Sequence, residues 1–216
     1  MRSFHRVTAG RRGLDAAPRG IDTGGQAAGA TDRPRRVQQY GDPIVKIDPK
    51  DLLDHDNASF SAQLDAILAV PDHRHESNDF QRACSAFAHA CSARELWLRR
   101  IDPETPAPEA GGVDLFPESV FADELRPLLD RVVRYWDAHA ARVEAGPGWE
   151  AEAERIIEYS STDGKPWTNS VGEILLHLFA HGQYHRGQIA LLLGRLGVKS
   201  PATDYIIRAR NARRGG

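Results

Sequence analysis

Four stretches of about twenty residues, each with apolar side chains at helical spacing and fenced by proline or glycine, constrain this chain more than anything else in it. The first, "DPKDLLDHDNASFSAQLDAILAV", offers Asp48 as N-cap and Pro49 at the first helical position, with Pro71 as its stop. The second, "SNDFQRACSAFAHACSARELWLRRI", is expected to start near Asn78, with Gln81 completing a partial capping box, and to end before Pro103. The third, "SVFADELRPLLDRVVRYWDAHAARVEA", repeats Leu125, Leu128, Leu129, Val132, Val133 and Trp136, and Pro127 within it predicts a kink or a late start. The fourth opens at a Ser170/Glu173 capping box and runs to Gly197. Ahead of it, "ERIIEYSSTDGKPWTNS" alternates weakly around Asp163-Gly164, which reads as a hairpin. "TDYIIRARNA" reads as a last short helix capped by Thr203. The expected fold is therefore all-α, a four-helix bundle with a short β-hairpin before the last long helix. Bundles of this kind build metal sites in their cores from facing helices.

A chain of 216 residues, 41% hydrophobic and 27% charged, suits one globular domain plus some extra chain. Residues 1–36 hold eight arginines against three aspartates and no apolar period. They read as a disordered extension, leaving residues 37–212 as the folded domain. A formal net charge of -2 provides no field for nucleic acid, and no apolar run is long enough to span a membrane. Cys84 and Cys91 are seven residues apart in one helix, too far for a disulfide, so they read as small core residues in a reducing, cytoplasmic setting.

Within "LLHLFAHGQYHRGQIALLL", His177, His181 and His185 recur every fourth residue, so they share one flank of the helix with Tyr184 and Gln188. The apolar residues around them demand burial, and the polar stripe is expected to be buried too. Imidazoles one turn apart can ligate one ion. Gly182 and Gly187 each cost about 1 kcal/mol against alanine, which points to close approach of another element or a ligand. Tight helix packing explains Gly187 equally well. A third ligand must come from elsewhere: His89, His55, His139, or the loop pair His73 and His75. His89 has the best setting, in "SAFAHACSA" with small neighbours. His139 reads as half exposed, and His73 and His75 as solvated.

"LLHLFAHGQYHRGQIALLLGRLG" followed by "PATDYI" resembles the C-terminal signature of the DinB-like family and of the related YfiT-like metal-dependent hydrolases. The resemblance extends back through the hairpin and the second helix and covers roughly residues 40–211. It implies a metal triad of His89, His181 and His185, with His177 as a supporting or core residue. His55 falls near the mouth of the site, where the family is often aromatic. Arg186 and Gln188 look like supports, and Asp204 would pair with such an arginine by family position. Residues 1–36 have no counterpart in the family.

By the same resemblance, the function is metal-dependent transfer of a low-molecular-weight thiol to an electrophile, in stress defence or detoxification. The alternatives are a metal-dependent hydrolase and a non-enzymatic metal-binding or sensing bundle. Imidazole ligands suit a divalent zinc, nickel or iron. The expected partners are a small-molecule substrate and a second copy of the chain in a homodimer, with neither membrane nor nucleic acid.

Overall fold

The computed structural model describes residues 48–107, 114–117 and 119–212. The expected N-terminal extension, residues 1–36, and the start of the domain at residue 37 lie outside them. The elements are α1 (Pro49–Leu68), α2 (Asn78–Ile101), α3 (Ala122–Ala145), α4 (Gly148–Glu154), β1 (Ile156–Ser160), β2 (Pro166–Ser170), α5 (Val171–Arg195) and α6 (Tyr205–Ala212). The four long helices form the expected bundle. α2 packs on α5 and α3, α1 packs on the same two, and α1 and α2 face each other across the diagonal.

Local chemistry sets most helix ends. The Asp48 carboxylate accepts from Lys50 N at 2.9 Å, one of the orphan donors of the first turn. Ser170 and Glu173 form a complete capping box at the start of α5, with bonds of 3.1 and 2.9 Å. Beyond the end of α5, Gly197 takes φ +77°, and Val198 N closes on Leu193 O at 2.9 Å. That is a Schellman stop.

Three expected helix starts differ in how they are made, although α2 begins at Asn78 as expected. α2 is capped by the Ser77 hydroxyl, which accepts from Phe80 N, while Gln81 bonds back to His75 O and forms no capping box. α3 starts at Ala122, with Glu124 accepting from Phe121 N, so Pro127 lies inside it and does not delay its start. α6 starts at Tyr205, which puts Asp204 and not Thr203 next to its first turn. The short α4 has no counterpart in the sequence reading, because Pro147-Gly148 looks like a break and seven residues give too little period.

The core runs the length of the bundle through Phe60, Leu64 and Ile67 of α1, Phe87 and Leu98 of α2, Leu125 and Val132 of α3, and Ile189 and Leu193 of α5, all fully buried. Each such side chain contributes about 1.5–3 kcal/mol. Cys84 and Cys91 are core residues as expected, and burial pushes both thiols up to about 12.

Two buried polar clusters tie the helices. Asp56 of α1 receives Arg94 of α2, at 3.3 Å, and Arg186 of α5. Both guanidinium groups lie 5.1 Å over the Phe60 ring. The partner of Arg186 is therefore Asp56, not the expected Asp204. At the far end of the bundle, His139 is 3% exposed rather than half exposed, held between Asp102 at 3.1 Å and Glu152 at 3.4 Å. Arg142 and Arg155 supply the balancing charge. Sequence could not reveal this, because both carboxylates come from outside α3.

β1 and β2 pair antiparallel in the register Ile157↔Asn169 and Tyr159↔Trp167. The turn closes through Gly164 N to Ser161 O at 2.9 Å with Gly164 at φ +82°, the left-handed position that Asp-Gly predicts. The Tyr159 ring stands edge-on to Trp97 of α2, with centroids 5.0 Å apart. That contact seats the hairpin beside the histidine face of α2.

Candidate metal centre

α2 and α5 bring three of the predicted residues together. His181 Nε2 lies 3.3 Å from His89 Nε2 and 3.1 Å from His185 Nε2. One ligand nitrogen from each of the three fits within a 4.8 Å span. Around a tetrahedral ion with metal–nitrogen bonds of about 2.0–2.1 Å, ligand nitrogens stand about 3.3 Å apart. The spacing and the all-imidazole donor set both fit a divalent transition metal.

The rings are oriented from outside the trio. His89 Nδ1 donates to the carbonyl of Leu115. A carbonyl only accepts, so in the neutral ring the proton sits on Nδ1 and the Nε2 lone pair faces the other two histidines. Phe116 stacks on the outer face of the same ring, 4.9 Å away at 21°. Tyr184 stands edge-on to His185 at 5.1 Å, and Gln188 lies on the same flank one turn on.

Burial and repulsion from neighbouring rings favour the neutral form of the two α5 imidazoles. The His181 imidazole is pushed down to about 4, first by burial and then by His185, His89 and His177. His185 is lowered as well, by burial and then by His89, against the smaller opposing pull of Gln188. Neutral imidazoles are the form that ligates a metal.

The stripe is less buried than the sequence suggested. His181 and His185 are half-buried, whereas His177, Tyr184 and Gln188 are exposed. His177 lies edge-on to Trp97 with centroids 5.7 Å apart, at the rim of the cleft over the histidines. It is no core residue. His55 is buried elsewhere: it bonds Thr203 O at 3.1 Å, packs on Tyr205 and lines a different cleft, against α6. His73 is exposed as expected, but His75 stacks on Phe80 at 4.1 Å and bonds Val70 O at 2.8 Å.

The two glycines part company. A Cβ on Gly182 would meet Arg186 Nη1 and Asp56 Oδ1 at 3.0 Å, so this glycine admits the buried ion pair. One on Gly187 would meet nothing within 4 Å. The expected close approach is absent there.

A cleft of ≈ 300 Å³ opens over His89 and His181, walled by Trp97 and Arg100 of α2 and by Tyr159 and Trp167 of the hairpin. These four escaped the sequence reading. A signal existed: Trp97 and Arg100 fall eight and eleven residues after His89, within about 80° of it on the helix. Among the described residues no carboxylate lines the cleft.

Known proteins agree with this picture. Protein DinB of Bacillus subtilis (strain 168) is 20% identical over 133 residues, 62% of this chain and 75% of the relative. No solved structure matches the chain. Residues 52–215 match the model of the DinB family, and with a match of that extent the chain belongs to the DinB family.

Proposed function

We propose that this chain is a metal-dependent enzyme that transfers a low-molecular-weight thiol to an electrophile, in stress defence or detoxification, with His89, His181 and His185 holding a divalent zinc, nickel or iron. The observation that carries the reading is the trio of converging imidazoles, two of which, His89 and His181, line an open cleft. Among the described residues the group of candidate ligands has three members and no fourth. Three ligands with an open side belong to a site that accepts a reactant, whereas structural zinc sites are closed by four. The DinB family's association with metal binding points the same way.

A divalent cation held by three neutral imidazoles keeps its full charge and supplies Lewis acidity, which favours the thiolate, the nucleophilic form of a thiol. The chain's own residues do the rest. Leu115 fixes the His89 tautomer, and burial together with the neighbouring rings holds His181 unprotonated at neutral pH. Trp97 and Trp167 wall the cleft.

A hydrolase with a carboxylate base is the weaker reading, since among the described residues neither Asp nor Glu lines the cleft. A sensing or purely structural bundle is distinguished by removing the metal, because collapse of the fold on chelation marks a structural ion. The direct test is elemental analysis of the purified protein, joined to a thiol-consumption screen with a reactive electrophile. Stoichiometric metal and metal-dependent thiol consumption are expected. Retained metal with no consumption of any thiol would sink the transferase reading.

A further inference from the structure

The cleft over the histidines contains a cation, Arg100, that no carboxylate among the described residues neutralises. Arg100, in the last turn of α2, rests on a platform of two edge-on rings whose centroids are 5.0 Å apart, its Cζ 4.6 Å from Trp97 and 4.8 Å from Tyr159. One Nη2 bond at 2.8 Å goes to the Ser160 carbonyl. Among the described residues no carboxylate pairs with it, although nearby arginines such as Arg99 and Arg142 each have one. Its neighbourhood is partly dehydrated, and burial lowers it from the usual arginine value. A guanidinium offers five donors in a rigid fork that matches a carboxylate. Here the aromatic platform immobilises that fork in advance, which lowers the entropy cost of ordering it around a ligand.

We infer that Arg100 is the anion anchor of this cleft, binding the carboxylate of a small molecule whose other end lies over His89, His181 and His185. This rests on the metal-centre reading above for the position of the reacting end; the anchor itself depends only on Arg100 and its platform. Position along α2 sets the ligand's length. Eleven residues separate Arg100 from His89, about 16 Å of axial rise, and long helical side chains lean back toward the N-terminus and shorten that span. A short mercapto-acid cannot bridge it, whereas an extended one can. Trp97, Tyr159 and Trp167 between the two ends suit an aliphatic or aromatic linker. The ligand class is thus an extended carboxylate carrying a thiol or another metal-seeking group at its far end.

The test uses mercaptohexanoate and its neutral counterpart mercaptohexanamide, titrated into the full chain after chelation and again after zinc loading. Tryptophan fluorescence reports on Trp97 and Trp167 in the cleft wall. The acid should bind about tenfold more tightly than the amide in both forms, because Arg100 acts independently of the metal. Arg100→Gln should erase that preference with zinc content unchanged, and Arg100→Lys should restore part of it, which a folding defect would not allow. Equal binding of acid and amide, or a preference that survives Arg100→Gln, overturns the proposal. If zinc loading leaves the affinity for both thiols unchanged, the metal-centre reading fails while the acid-to-amide ratio still judges Arg100.

Discussion

Two polar clusters meet on adjacent residues of α5 and have opposite designs. Arg186 and Gly182 face α1, where Asp56 receives two guanidinium groups in a closed site. His185 and His181, one residue before each, face α2 and converge with His89 beneath an open cleft. A step of one residue turns the helix about 100°, enough to move from one face to the other. The closed cluster brings opposite charges together and holds three helices in register. The open one brings together three groups of the same kind, with ring nitrogens aimed at a shared point. Opposite charges that pair across helices serve the fold; like groups that converge beneath an open cleft are built for something added.

That contrast is easiest to break at the histidines. His181→Ala or His185→Ala should abolish stoichiometric metal retention, and His89→Ala should weaken it severely. His177→Ala should leave the metal bound. Elemental analysis of the four variants checks this, and a metal-replete His89 variant would remove that residue from the site.

The closed cluster should respond in stability instead. Asp56→Ala strands two buried cations and should cost about 3–5 kcal/mol in urea unfolding. A loss below 1 kcal/mol, by the same measurement, would mean that water already solvates the guanidinium groups. Gly182→Ala forces a methyl against the same ion pair at 3.0 Å and should cost about 1–3 kcal/mol.

Acid should then distinguish the far-end cluster from both. Burial would raise the Asp102 carboxyl, but hydrogen bonds from Arg142, Glu104 N and His139 outweigh it and hold the group below its ordinary value of 3.8. The stabilisation is thus present above that value and is lost as pH falls through the lower folded-state pKa. Asp102→Asn should flatten this acid limb of the stability curve; an unchanged limb assigns it to other carboxylates. The smallest effect is a gain: Gly187→Ala, with open space around the added methyl, should stabilise the chain by up to about 1 kcal/mol. A destabilised variant would mean that something covers that face.

The four long helices, the caps at Asp48 and Ser170, the stop at Gly197 and the His181/His185 pair were all legible in the sequence. Each depends on residues within one or two turns of one another, and the helical period carries that information unaided. The third histidine was legible only through its small neighbours and the family resemblance, since it lies 92 residues from His181. Burial of His139 escaped, because period alone cannot say which carboxylates will close over a polar side chain.

Sequence by itself thus determined the four long helices, the caps of the first and last of them and the spacing of imidazoles along α5. Tertiary structure decided which glycine is needed, which acid Arg186 meets, and that Leu115 and the hairpin complete the histidine cleft. The physical reason is range. Backbone hydrogen bonding and side-chain period act over a few residues, whereas a site is closed by groups far apart in the chain whose meeting depends on how whole helices pack.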